Sequence, residues 1–466
     1  MSVALIPMAV QFGWSGAEKG LVRCAPRFWG WNVQRALPWR PIAPVSPFAH
    51  SLLSRSSAFF WGYALTQVPA GYLASKLGGA RVLSAGVALW SLGTLLAPPA
   101  AAVALPMLCA SRLLVGLGEG VAPSAATALL VQFVPARERA RAVSLVWGGL
   151  DLGSVVGLLI APLLIGLAGW QSVFTVFAVL GFAWCAAWPL AQPHASVALA
   201  HPRAARSPGA ASAQAWIEQW RARMGCAPKA SGPPWRKFFR SPAVWAVVVT
   251  HFCFNYGYYT LLAWLPSYFE GALGMDLGAS SALSLLPYVA MVAMTPVVGP
   301  VADSLVQRGY SVTSVRKLAQ GIAFLGPAAC MLALAVLTPT AQPLSLPGVP
   351  GALLGAGLGA GAPPPVALVV ALMSLAFGLS AWSRAGLYCN HQDLSPRYAS
   401  ILLGVSNTAG ALPGVLGVWA AGLLLDATGS WSLALFLPTA LAQLVGTLVF
   451  SLFGSGENQG WDGEEE

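Results

Sequence analysis

The sequence predicts an all-α polytopic membrane protein, and three observations lead there. Hydrophobic residues make up 57% of the 466 and charged residues only 9%, against about 25% charge in a soluble globular domain. Apolar runs of about 20 residues, the length that crosses a hydrocarbon core about 30 Å thick, recur along the chain. Basic residues fall in alternate loops, as cytosolic loops of membrane proteins do.

The apolar runs lie at 56–75, 82–101, 103–124, 142–166, 170–191, 242–266, 279–302, 315–338, 364–387, 398–425 and 429–453. These eleven spans follow a short apolar start at 2–10. Gly and Pro are abundant, at 50 and 36 residues. Membrane helices tolerate both and use them for close packing and breaks.

The net charge of +10 raises the question of nucleic acid, and its distribution answers it. Apart from Arg112 and Arg384, which lie within spans, the basic groups beyond residue 55 fall in or beside loops: Lys76 and Arg81; Arg137, Arg139 and Arg141; the 203–240 loop; Arg308, Arg316 and Lys317; and Arg397. The loops between them carry no Lys or Arg. This is the positive-inside pattern, so the partners expected are a lipid bilayer and a small solute, with no nucleic acid. The seven cysteines show no CxxC or His-cluster spacing, so no metal or redox site is expected.

Arg112 and Glu119 lie seven apart inside LPMLCASRLLVGLGEGVAPSAATALLVQF, which carries no other charge. A charge at mid-membrane costs about 2.5–3.5 kcal/mol on insertion scales. Two helical turns separate the pair by about 10 Å along the axis, with both side chains on one side. That spacing excludes a direct salt bridge and predicts a polar stripe facing a water-filled cavity.

The longest polar stretch, 192–240, separates two groups of spans and reads as a cytosolic linker. GYLASK at 71–76 and GPVADS at 299–304 end corresponding spans of the two groups. In each, a Gly precedes a short polar residue by four, and a basic residue follows, Arg81 or Arg316. Such duplication suggests a transporter.

Longer segments carry a family resemblance. FFWGYALTQVPAGYLASKLGGARVL (59–83), RLLVGLGEGVAPSA (112–125), VPARERARA (134–142) and LGSVVGL (152–158) resemble the anion-transporter branch of the major facilitator superfamily. HFCFNYGYYTLLAWLPSYF (251–269), VRKLAQGIAFLGPA (315–328) and GLYCNHQDLSPRYASILLGVSNTAGALPG (386–414) are similar to the plant and algal sodium-dependent phosphate transporters. The vesicular nucleotide transporters are close relatives of that group. The resemblance implies two six-helix bundles, a central anion site reached alternately from each side, and drive by Na⁺, H⁺ or membrane potential. It gives Arg112 the role of anion recognition and Glu119 that of ion coupling.

Three departures from the family stand out. The chain starts at MSVALIPMAV, in the middle of what is the first helix in relatives, so 1–22 reads as a remnant of a truncated helix. A basic residue expected there is absent. Residues 23–55 hold five arginines in a loop that should face away from the cytosol, and have no counterpart in the family. The expectation is a gene-model error, with a real lumenal insertion as the alternative; sequencing the full-length transcript checks it, and recovery of 23–55 in the dominant spliced message contradicts it. Third, Ser75 replaces the usual Asp of the loop motif, which predicts a weaker cytosolic lock in this half, whereas Asp303 keeps the acid in the other.

The expected domains are therefore 1–22, the 23–55 insertion, an N-terminal bundle at 56–191, the linker at 192–240, a C-terminal bundle at 241–453 and an acidic tail at 454–466. Arg112 suits an oxyanion through its guanidinium fork; the alternative is a structural Arg bonded to helix carbonyls. Glu119 suits a coupling proton or Na⁺, or else a packing hydrogen bond beside Gly118 and Gly120. Asp151 is a second candidate for coupling, or faces a wet vestibule.

His251, Asn255 and Tyr259 in the seventh helix are candidate substrate contacts, with an interfacial His251 as the alternative. Tyr63 and Gln67, four apart and on one face, join Asn407 and Thr408 as cavity groups or as interhelical glue. Phe254 stands where many relatives have a basic residue. Arg384 is expected to snorkel near a cytosolic helix end, and HQD at 391–393 to form a structural turn. Gly71, Ser75, Arg81, Asp303 and Arg316 are the candidate gating residues.

The function expected is secondary active transport of an anion, phosphate foremost, coupled to Na⁺, H⁺ or membrane potential, with no other cofactor. The alternative is a non-transporting sensor or degenerate pseudo-transporter of the same fold. No arrangement suited to enzyme catalysis is found. A monomer in a plastid or other organelle membrane is expected, with the plasma membrane as the alternative.

Overall fold

Each of the eleven expected spans coincides with helix. A computed structural model describes residues 58–198, 232–275, 277–338 and 364–461. The segments expected to be a helix-1 remnant, an insertion at 23–55 and most of the linker, with the last five residues, lie outside the described residues.

The N-terminal group comprises α1 (Ala58–Leu77), α2 (Gly79–Leu95), α3 (Ala97–Val103), α4 (Leu105–Glu119), α5 (Ala122–Phe133), α6 (Arg139–Ala168) and α7 (Trp170–Ala198). The C-terminal group is led by the short α8 (Trp235–Arg240). Then come α9 (Pro242–Leu273), α10 (Leu277–Gln307), α11 (Val312–Leu337), α12 (Val366–Ser380), α13 (Leu387–Leu394), α14 (Ala399–Thr428) and α15 (Leu437–Phe453). A 3₁₀ segment, Ala381–Arg384, follows α12, and a π-helical turn, Ser432–Phe436, opens α15. Among the described residues there is no strand.

Among the described residues eight helices are long and apolar enough to cross a membrane, or nine if α2 and α3, bent by 40°, form one span. α4 and α5 count as a single span, Pro106–Phe133, nine residues beyond the expected end. α1 and α9 are less apolar because they carry the polar groups described below, Tyr63 and Gln67 on one, His251 and Asn255 on the other.

The protein is apolar outside and polar within. Leu145, Leu163, Leu167 and Leu448 are among the large side chains on the outer face, and Gln67, Asp151, His251 and Asn407 are buried. In water such an exterior would drive aggregation; in lipid it is the matched surface, and internal contacts then rest on close packing and polar bonds.

Within the first group α4 packs on α1 and α2, and α7 on α2; within the second, α9 packs on α14 and α15. The two groups meet along α1 and α5 against α14, and along α6 against α10.

Small residues set the spacing. A Cβ at Gly116 in α4 would collide with the backbone carbonyl of Phe59 in α1. Gly116→Val is expected to cost about 1–3 kcal/mol of stability. The checking measurement is the melting temperature of detergent-purified protein. Gly149→Val, which faces open space, is the control expected to leave it unchanged.

Candidate functional site

Arg112 projects from the second turn of α4 and stays inside the N-terminal group. Its Nη2 donates to the carbonyl of Gly93 on α2 at 3.5 Å, and its guanidinium lies 5.4 Å from the ring of Phe174 on α7. Glu119 ends α4, just before the chain turns into α5. The pair interacts electrostatically. It is absent from the ion pairs formed among the described residues, which join Arg137 to Glu138, Arg139 and Arg316 to Asp393, and Arg384 to Asp151.

Next to Glu119 lies a polar layer between the two groups of helices. Asn407 on α14 donates from Nδ2 to the Tyr63 hydroxyl and to Gln67 Oε1, both at 2.9 Å. Tyr63 and Gln67 share one face of α1, so a single amide ties the two groups together. Glu119 acts electrostatically on Tyr63 and on Tyr259 of α9. On the same helix Asn255 donates to the Gly410 carbonyl of α14 at 2.9 Å. Thr408 instead bonds back to the Gly404 carbonyl one turn earlier at 2.8 Å, which turns its hydroxyl proton toward its own helix.

His251 is not interfacial. It sits in the third turn of α9, 1% exposed, with Nδ1 3.0 Å from Ser406 Oγ. The same hydroxyl lies 2.7 Å from Nε2 of His391 on α13. Ser406 therefore links two buried imidazoles. The sequence reading did not single it out, because a serine in an apolar helix looks like packing.

Arg384 does not snorkel. It is 2% exposed, Asp151 is 1% exposed, and Arg384 Nη2 donates to Asp151 Oδ2 at 2.6 Å. The guanidinium also lies 5.2 Å from the Tyr388 ring and 6.0 Å from that of Phe254. Asp151 belongs to α6 and Arg384 to the 3₁₀ segment after α12, so this bond also crosses between the groups. Phe254, the missing positive charge of the seventh helix, is thus the neighbour of a positive charge supplied from elsewhere.

The end carrying the basic loops is closed. Asp393 accepts from Arg316 Nε at 2.6 Å and from Arg139 Nη1 at 3.1 Å. Arg139 opens α6 and Arg316 lies in the first turns of α11, so the carboxylate joins the two halves. HQD is therefore no passive turn. Asp303 accepts from the backbone N–H groups of Ala140 and Arg141 at 3.0 and 2.9 Å.

Ser400 donates to the Gly71 carbonyl at 3.0 Å, and a Cβ at Gly71 would meet that region's backbone at 2.5 Å. Ser75 bonds only locally, to the Tyr72 carbonyl, and is exposed, as is Arg81. The contacts across the closure include Gly71 with Ser400, Asp303 with the start of α6, and Arg139 with Asp393; Arg316 holds Asp393 from within its own half.

A bundle of apolar-faced helices in two groups, closed at its basic end over a buried polar layer, is the architecture of a membrane transporter. Residues 1–386 match the family model described as Major Facilitator Superfamily, and the chain belongs to that superfamily.

Over 98% of its length it is 40% identical to "Probable anion transporter 6, chloroplastic" of Arabidopsis thaliana, covering 76% of that protein. It is 37% identical to "Sodium-dependent phosphate transport protein 1, chloroplastic" of the same plant, with 98% and 75% covered. Identity to the Arabidopsis "Ascorbate transporter, chloroplastic" is also 37%, with 98% and 71% covered. Among solved structures, the proton:xylose symporter XylE superposes with a TM-score of 0.63 at 16% identity, covering 98% of this chain and 96% of that one. The E. coli fucose transporter FucP in its outward conformation gives 0.59 at 14%, covering 97% and 98%. At these identities the two structures speak to the fold alone.

Proposed function

We propose that this chain is a secondary active transporter that moves an inorganic or organic anion, phosphate foremost, across a plastid membrane by alternating access. The observation that carries the proposal is a guanidinium, Arg112, held inside a bundle whose outer face is leucine and valine. A fixed positive charge in a low-dielectric cavity attracts an oxyanion far more strongly than it would in water. The printed names of the relatives, anion, phosphate and ascorbate transporters, support the same class of substrate.

In this reading Arg112 captures the anion and Glu119 binds the coupling Na⁺ or H⁺. Tyr63, Gln67, Asn407, Asn255, Tyr259 and His251 form the polar wall, with Thr408 beside it. Gly71, Asp303 and Arg316 belong to the cytosolic gate, whereas Ser75 and Arg81 stay outside it. One chain holds the whole set, so the working unit is a monomer.

The test is uptake of labelled phosphate, ascorbate, glutamate and ATP into proteoliposomes under imposed H⁺ or Na⁺ gradients. Protein-dependent uptake of one of them is expected. Ligand-dependent thermal stabilisation with no flux of any would identify a sensor instead.

A further inference from the structure

The Asp151–Arg384 pair lies near the middle of the membrane. Asp151 is twelve residues beyond Arg139 at the closed end of α6, about 18 Å along the helix. That is about half of a 30 Å core. The pair spans the two halves, and both side chains are almost fully buried, at 1% and 3% exposed.

A purely structural clamp would be better made of apolar side chains, because desolvating two charges offsets their attraction. The geometry is also incomplete for a clamp. Arg–carboxylate pairs commonly form two parallel bonds, whereas Arg384 reaches Asp151 through Nη2. Its Nε is buried with no hydrogen-bond acceptor among the described residues. The rings of Tyr388 and Phe254 cover the guanidinium. The Tyr388 ring also lies 5.4 Å from the His251 ring, and His251 is bonded through Ser406 to α14. The pair is therefore contiguous with the polar layer that the anion is proposed to enter.

Charge balance then dictates the sequence of events. Empty, the pair is neutral. An anion arriving at Arg384 while Asp151 stays ionised leaves one net negative charge in the interior. An anion arriving together with one cation on Asp151 leaves none.

We propose that Arg384 is a second anion-binding group and that Asp151 is its resident counter-ion. The substrate oxyanion displaces the Asp151 carboxylate from Arg384, and the released carboxylate takes up one monovalent cation, a proton from solvent or Na⁺. Loading thereby unties the two halves at the membrane centre. This inference rests on the anion-transport reading.

The experiment uses the full chain, purified and reconstituted, with phosphate and ascorbate as probes. Asp151→Asn keeps the shape and an acceptor for Nη2 but removes the counter-charge. It is expected to tighten apparent anion affinity by at least about tenfold, within the usual range of coupling between two ligands. It should also remove the cation taken up at Asp151 and keep the one at Glu119, so the number of cations moved per anion falls by one. A pH series without Na⁺ and a Na⁺ series at fixed pH identify which cation the parent takes.

Arg384→Gln is expected to lose anion binding. The neutral double variant Asp151→Asn/Arg384→Gln should stay folded and lose it too. Parental binding and a parental number of cations per anion in Asp151→Asn and in the double variant would overturn the proposal. If the parent binds anion, Arg112→Gln abolishes it and Arg384→Gln spares it, only this inference falls. A parent that binds neither probe overturns the transport reading and this inference together.

Discussion

Replacing Arg112 by alanine is expected to lower anion uptake by more than about 100-fold, because two charge-assisted hydrogen bonds of about 1.5–3 kcal/mol each disappear. Arg112→Lys should fall between, retaining the charge but losing the planar fork. Arg112 sits on α4 with Gly93 and Phe174 around it, so truncation also removes a contact that helps pack α4 on α2. The thermal stability of the empty variant separates the two effects: a modest loss of melting temperature with complete loss of uptake marks an anion ligand. Uptake at the parental rate would reduce Arg112 to a structural bond with the Gly93 carbonyl.

The second large effect is expected at Asp393. Its carboxylate neutralises Arg139 and Arg316, whose side chains are 9% and 3% exposed. Asp393→Asn leaves two buried cations without a counter-charge, and breaking a buried pair costs about 3–5 kcal/mol. Because Arg139 belongs to one half and Arg316 and Asp393 to the other, the Arg139 part of that cost falls on the closed form of the cytosolic end alone. The variant should populate the open form.

Cys389, buried and unpaired near this carboxylate, reports on it. In a background with the other cysteines replaced, a membrane-impermeant maleimide applied from the cytosolic side is expected to label Cys389 faster in Asp393→Asn. An unchanged labelling rate would mean that the closure rests on Asp303 and on the Gly71–Ser400 contact.

The helices were legible because each requirement is local. An apolar run of sufficient length and a change of loop charge are read from neighbouring residues. Sites that join the halves are not local. Asp151 and Arg384 were each visible as an odd charge in an apolar span, yet 233 positions separate them. Two isolated charges of opposite sign, one per half and each costly to bury alone, were the available signal of a pair.

Asp393 was misread because HQD beside a loop has the composition of a turn; nothing nearby in sequence reveals two arginines from other helices. Ser75 was expected to weaken the gate, and the contacts across the closure come from other residues. Thr408 donates to the carbonyl one turn away, a local bond that leaves its lone pairs available to a cavity.

Anion movement tied to a cation gradient has a direction that the gradient sets. The most direct measurement is the direction of net labelled phosphate flux in proteoliposomes of the parent chain when the imposed H⁺ or Na⁺ gradient is reversed with phosphate equal on both sides. Coupled transport predicts that accumulation turns into depletion as the gradient changes sign. A flux that keeps one direction, or none above protein-free liposomes, would contradict it.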